Sequence, residues 1–513
     1  MGRTGPEAFL WGVATSAYQA EGGYNGPGEP RTNWADAESR GRVMPLGKSA
    51  DFWNRYPEDF AASRDMGLNA FRLGIEWSRV QPSTAIEAIS GGDPAFDVAA
   101  LDRYAAMIAA ARADGLEPIV TLHHFVHPAW LGTDPWLEPE IIDRFERYVL
   151  RAAGHVNARL VEHHGCPPIR HYITINEPNM LVLNTYLGNQ FPGEGRRGFA
   201  SIGRAYDLLL ASHVRAYHAL HQLHARHGWE TPRVSLNNYC SDIYWSDKLL
   251  LDLLASRERG IGTADLHDSV VAQARRFESA FAAARLPLHR DLPFAVGSLF
   301  KRFTNWMGSR RFDGRAFPRL AAEFDRAPGT RVFDFVGLDY YDPFAAHMFR
   351  LPVLGDHEFR DRSFRSWVMN TVTSKWWDWR VLPRGLHFFC DYYSSDFGGR
   401  PVLIAENGMA LRRKPDNRGM LHLRRDRMTR SDFLQLHVHE VVRIRQRGVP
   451  LIGYLHWSLF DNYEWGSFTP RFGLFALDYT CGTDRLVTSP GGDRPSETYK
   501  RLIEEARRKL AET

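Results

Sequence analysis

Short apolar runs recur along the chain, and most end in polar or aromatic residues. They are FLWGVATSA (9–17), AFRLGIEW (70–77), EPIVTLHHF (117–125), HYITINEP (171–178), RVSLNNYC (233–240), VFDFVGLDYY (332–341), PVLIAENG (401–408) and LIGYLHWSLF (451–460). Their length and β-branched content suit parallel strands buried on both faces. Between them lie stretches with helical spacing, among them DRYAAMIAAARADG (102–115), IIDRFERYVLRAAGHVNARLVEHHG (141–165) and SDFLQLHVHEVVRIRQRG (431–448). Eight strands alternating with helices predict an α/β fold, a (β/α)8 TIM barrel forming a single domain over residues 1–513. A doubly wound open sheet fits less well, because no glycine-rich dinucleotide loop follows the first strand. Residues 249–330 are too long for a simple βα connection and predict an insertion between the fifth and sixth strands. Within it, SLFKRFTNWMGSRRF (298–312) reads as a solvated helix with its aromatics packed on the barrel.

In such a barrel the C-terminal ends of all eight strands meet on one face, where catalytic groups sit. Those ends and the loops just beyond them supply Gln19, His124, Asn176, Glu177, Asp339, Tyr341, Glu406, Trp457, Glu464 and Trp465. Two carboxylates stand out because each ends a strand: Glu177 on the fourth and Glu406 on the seventh. Two carboxyl groups flanking one acetal can protonate the leaving oxygen and meet the positive anomeric carbon. His123, His124 and His127 invite a metal reading, but adjacent strand residues point to opposite faces. No metal and no cofactor are therefore expected, with His124 facing the site and His123 away. Glu21 and Glu76 read as structural partners.

Composition narrows the field further. The 513 residues carry 64 Lys+Arg against 60 Asp+Glu, a net charge of +4 with no basic tail, so no nucleic-acid partner is expected. No run reaches ~18 apolar residues, and neither a spanning helix nor membrane contact is expected. The N-terminal MGRTGPEAFLWG lacks a signal-peptide apolar stretch, and the four cysteines (Cys166, Cys240, Cys390, Cys481) stand far apart. A cytoplasmic location is the simplest expectation; composition leaves the oligomeric state open.

ITINEP (173–178) and IAENG (404–408) resemble the two signature motifs of glycoside hydrolase family 1, the retaining β-glycosidases. FLWGVATSAYQAEGG (9–23) and WSLFDNYEWGSFTPRFGLFALDY (457–479) resemble that family's N-terminal and C-terminal segments. The resemblance implies Glu177 as acid/base, Glu406 as nucleophile and Asn176 as the partner of the sugar 2-hydroxyl. It implies that Arg72 and Tyr341 keep Glu406 charged and oriented. Gln19, His124, Glu464 and Trp465 would hydrogen-bond the remaining hydroxyls, with Trp457 under the apolar face of the ring. The implied substrate is a small-molecule glycoside with a terminal β-glucosyl, β-galactosyl or β-fucosyl group. The carboxylate of Glu464 would repel a 6-phosphate. A transglycosylase using a sugar or lipid acceptor, and a silent sugar-binding barrel, are the alternatives. The chain departs from the family pattern at Phe125, where Trp is common, and at Val126-His127, in place of Asp-Leu. It departs again at Ala405, where Thr is usual, and at Asp339, where Asn is usual. EWGSFTPRFG (464–473) is one residue shorter than the common form. Asp339, close to two carboxylates, is expected to share a proton or raise a neighbour's pKa.

Overall fold

A computed structural model describes residues 8–83, 92–188, 190–195, 198–288, 292–312, 316–347, 376–414, 416, 420–422, 424 and 426–512. Each of the eight apolar runs contains a strand: β1 (Leu10–Ala14), β2 (Ala70–Gly74), β3 (Glu117–Thr121), β4 (His171–Asn176), β5 (Arg233–Tyr239), β6 (Val336–Tyr340), β7 (Val402–Asn407) and β8 (Leu451–Trp457). All neighbours pair in parallel and β8 closes on β1, so the sheet is a barrel without edges. β1, β2, β3 and β8 end three or four residues before their apolar runs do, which leaves the polar ends of those runs in the loops above.

Alternation along the strands sorts the side chains into two cores. Ala14, Ala70, Ile119, Ile173, Leu403 and Leu455 fill the barrel interior. Their neighbours Val13, Phe71, Val120, Tyr172, Ile404 and Tyr454 point outward and pack in the larger core. Both faces are covered, which is why the strands read as nearly continuous apolar runs. Gly12 is required by close approach, since a Cβ there would stand 2.5 Å from the Ala70 carbonyl oxygen.

The expected helices are present, two of them with shifted starts. The first begins at Val98 rather than 102, because Asp97 accepts a hydrogen bond from the Ala100 N–H at 3.0 Å and caps it. The long one is Ile141–His163. The last of the three, Arg430–Gln446, is capped by Thr429, whose hydroxyl accepts from the Asp432 N–H (3.1 Å) while Asp432 accepts from the Thr429 N–H (2.9 Å). Thr429→Ala is expected to cost about 1 kcal/mol, measured as a lower urea midpoint at unchanged slope.

Among the described residues, four α-helices stand between β5 and β6: Lys248–Leu254, Leu266–Ala283, Leu292–Arg311 and Pro318–Arg326. Lys301 anchors the third to the barrel top, pairing with Asp242 at 3.1 Å and lying 4.3 Å from the Phe281 ring centre. The packing expected for its aromatics holds for Phe312 but not for all. Leu299, Phe303 and Trp306 are 64%, 55% and 48% exposed, so they form an outward stripe. Helical spacing shows that residues share a face; it does not show which face meets the barrel. Among the described residues, no helix is long and apolar enough to cross a membrane.

Candidate active site

The centre of the site is built from strand interiors before any loop contributes. Arg72 projects from β2 into the barrel and is fully buried. Its Nε donates to Thr121 Oγ1 on β3 (2.9 Å), and its NH2 nitrogen donates to Asn176 Oδ1 on β4 (2.5 Å). Its NH1 nitrogen reaches β7, donating to Glu406 Oε1 at 2.7 Å and to the Ala405 carbonyl at 3.2 Å. The phenol of Tyr341, just past β6, donates to Glu406 Oε2 at 2.8 Å. Both oxygens of Glu406 are therefore held by donors that favour its anion.

Glu177 follows β4 and has no such donors. Its backbone is left-handed, with φ 39° and ψ 61°, a conformation costing about 1–3 kcal/mol in a non-glycine residue. The chain holds it there: the Glu177 N–H donates to the Asn237 carbonyl (2.9 Å), and Pro178 opens the helix Pro178–Tyr186 immediately after. Carboxyl oxygens of Glu177, Asp339 and Glu406 lie within 4.8 Å of one another, all buried. Arg72 is the cation that compensates this cluster, and acidic residues gathered around an arginine do not by themselves make a metal site. Burial, the Asp339 charge and the Glu406 charge, in that order, push the Glu177 carboxyl well above the usual range. Burial and then the Glu406 charge push Asp339 up as well. Burial also raises Glu406, but Arg72 and Tyr341 pull it back down. Glu406 is thus the first of the three to ionise.

A cleft of about 360 Å³ opens above these carboxyls. It is lined by Gln19, His124, Glu177, Tyr341, Glu406, Trp457, Glu464 and Trp465, eight of the residues singled out in the sequence. Glu464 is positioned by two donors, Trp457 Nε1 at 2.9 Å and Gln19 Nε2 at 3.0 Å. Gln19 is fixed in turn by the Ser16 hydroxyl at 2.9 Å. Burial pushes the Glu464 carboxyl well up, and its two donors counter this. The His124 ring stacks on Trp457 (centroids 5.6 Å apart, 15° between planes). Burial and then the Arg72 charge depress its pKa, so the ring is neutral. Arg72, Asn176 and Asp339 lie behind the wall of the cleft; Asn176 Nδ2 contacts His124 Nε2 at 3.3 Å.

His123 points away from the cleft and packs against Trp136 and Phe145, where burial lowers its pKa to about 3. His127 contacts the Gly132 carbonyl at 3.1 Å, with its pKa lowered to about 4 by burial. Glu21 pairs with Arg79 (2.8 Å) and accepts from Tyr24 and Tyr104. Glu76 caps a helical turn at Ser78, and burial raises it to about 8.

The structure adds lining residues that sequence reasoning did not assign to the site: Phe125, Tyr239, Trp376, Trp379 and Phe472. It also adds Asn237 on β5, whose Nδ2 donates to Asn176 Oδ1 (2.7 Å) and to Asp339 Oδ2. Two asparagines, Asn237 and Asn238, inside a strand buried on both faces were the available signal.

This arrangement can deliver a proton from Glu177 and a negative charge from Glu406 to one bound ring. The sequence profile of Glycosyl hydrolase family 1 matches residues 1–259 and 309–491. Beta-glucosidase 25 of Oryza sativa subsp. japonica is 27% identical over 512 residues, covering 94% of this chain and 91% of that protein. The 6-phospho-beta-galactosidase 1 of Streptococcus pneumoniae is 27% identical over 488 residues, covering 92% of this chain and 94% of that protein. The beta-glucosidase from Thermotoga maritima, solved in complex with castanospermine, superposes with a TM-score of 0.65 at 21% identity, over 98% of this chain and 99% of that one. The chain belongs to glycosyl hydrolase family 1 and is an O-glycosyl hydrolase on a TIM barrel. The family match leaves out residues 260–308, which hold the helix Leu266–Ala283 and most of Leu292–Arg311.

Proposed function

We propose that the protein is a retaining β-glycosidase that releases a terminal, neutral β-glucosyl unit from small glycosides, with β-galactosides and β-fucosides as further substrates. The observation that carries this reading is the spacing of the carboxyl pair. Oxygens of Glu177 and Glu406 lie within 4.8 Å. Retention works with carboxyl groups about 5 Å apart, whereas inversion needs more than roughly 6 Å to admit a water between them. Glu406, ionised by Arg72 and Tyr341, attacks the anomeric carbon. Glu177, still protonated, gives its proton to the leaving oxygen. The same residue then takes a proton from the water that attacks the glycosyl-enzyme.

The sugar preference follows from what faces the ring. Glu464, with Gln19 and His124, offers polar partners for hydroxyls, and Trp457 and Trp465 offer flat apolar faces. Among the described residues lining the cleft, none is lysine or arginine. A phosphate dianion would therefore lie against carboxyls with no cation to meet it. This favours the neutral sugar over the substrate named for the Streptococcus pneumoniae relative. A nitrophenyl glycoside panel followed by proton NMR tests both points. β-Glucose is expected as the first product, and the 6-phosphorylated glycosides are expected to stay intact. α-Glucose appearing first would overturn retention, and faster turnover of the phosphorylated set would overturn the neutral-sugar assignment. Glu464→Gln is expected to lower kcat/KM about 10- to 100-fold on glucosides through lost charged hydrogen bonds, with less effect on fucosides, which lack O6.

A further inference from the structure

The third carboxyl of the cluster does not line the cleft. Asp339 is fully buried in β6, separated from the substrate space by the residues above it. Its Oδ2 accepts from Asn237 Nδ2, and one of its carboxyl oxygens lies within 4.8 Å of one of Glu177. Asp339 Oδ1 and Glu177 Oε1 are both buried and have no hydrogen-bond donor among the described residues. Ionised carboxylates only accept hydrogen bonds. Two of them facing each other without a donor between them would be an uncompensated contact of like charges in a dry interior.

We propose that Asp339 is a positioning residue for the reaction, and that Glu177 and Asp339 hold one proton between them, carried on Glu177 and hydrogen-bonded to Asp339. This rests on the acid/base assignment of Glu177. The placement of the proton follows from the donors each group has. Glu406 has a guanidinium and a phenol and ionises first. Asp339 has the amide of Asn237 and comes next. Glu177 has no side-chain donor and keeps its proton longest. The other charged or titratable groups facing Glu177 are Arg72 from β2, Tyr239 and Cys240 from the end of β5, and Tyr341 beyond β6. The tyrosines and the cysteine are buried and remain protonated, and Arg72 is already engaged with Glu406 and Asn176. When Glu177 gives its proton to the leaving oxygen, the pair is left with two negative charges. Attack of water on the glycosyl-enzyme returns one proton to the pair, which is thereby a stronger base than a lone glutamate.

Asp339→Asn tests this, since asparagine is nearly isosteric and carries no charge. Two readouts are needed. The first is infrared titration of the protonated-carboxyl band that is lost in Glu177→Gln, which requires no turnover. Its midpoint is expected to fall by at least a pH unit in Asp339→Asn. The second is kcat/KM against pH on a nitrophenyl β-glucoside, where the alkaline limb is expected to fall by the same amount with KM little changed. Coincident infrared midpoints in the wild type and Asp339→Asn would overturn the shared proton. A uniform loss of kcat with an unmoved alkaline limb would overturn it too, because that is the mark of a purely structural residue. If the infrared midpoint moves but no β-glycoside is hydrolysed by the wild type, the shared proton stands and the glycosidase reading falls.

Discussion

Glu406→Gly is expected to abolish turnover of every β-glycoside, by at least roughly 10⁴-fold, the scale reached when an enzyme's covalent nucleophile is removed. Nothing else in the cleft can replace it. Glu177 is protonated and Asp339 lies behind the wall, so neither presents a bare oxygen to the anomeric carbon. The substitution also strands Arg72, whose guanidinium loses its anion while remaining fully buried. Breaking a buried pair from one side costs about 3–5 kcal/mol, so a melting curve must accompany the assay. Glu406→Gln keeps an acceptor for the Tyr341 hydroxyl and much of the packing, and should be equally inactive while melting closer to the wild type. Residual activity within tenfold of the wild type in either folded variant would remove the nucleophile assignment.

Glu177→Gly should lose about 10²- to 10⁴-fold on glycosides with poor leaving groups, the usual contribution of a positioned acid or base. On an activated nitrophenyl glucoside the first step needs little protonation, so the glycosyl-enzyme forms and then waits for a base. Sodium azide is expected to restore turnover there, because a small anion fits the space the side chain vacates and needs no deprotonation. The product should be the β-glycosyl azide, since the anion enters on the face Glu177 occupied, opposite Glu406. An α-azide, or no rescue at all, would contradict the assigned geometry. Asp339 remains in this variant without its proton-sharing partner, which makes azide entry less favourable than beside an asparagine. The double variant with Asp339→Asn should therefore need less azide for half-maximal rescue.

The eight strands were legible because a parallel strand buried on both faces must be apolar almost throughout. Glu177 and Glu406 were legible because each breaks such a run at its end. The centre of the charge network was only partly so. Arg72 was implied by the family resemblance, but Asn237 looks like any polar residue until β5 is placed between β4 and β6. Trp376 opens a single 3-10 turn (Trp376–Asp378) and Trp379 follows it, a segment too short for periodicity, so nothing local says that they reach the cleft. The start of the helix at Val98 was missed because its first turn, VAAL, lacks amphipathic spacing and is marked only by Asp97. The orientation of Phe303 and Trp306 depends on how the helix rolls as its Lys301 meets Asp242, a tertiary choice with no sequence signature.

Arg72 touches side chains from β3, β4 and β7, the last of which lies more than two hundred residues beyond the other two. During synthesis the first four strands emerge long before β7. Until then the guanidinium hydrogen-bonds only the neutral oxygens of Thr121 and Asn176. The anion that balances it arrives with the penultimate strand. Pairing β7 into the sheet and charging the attacking oxygen are therefore one event, and a half-made chain cannot carry a half-active centre.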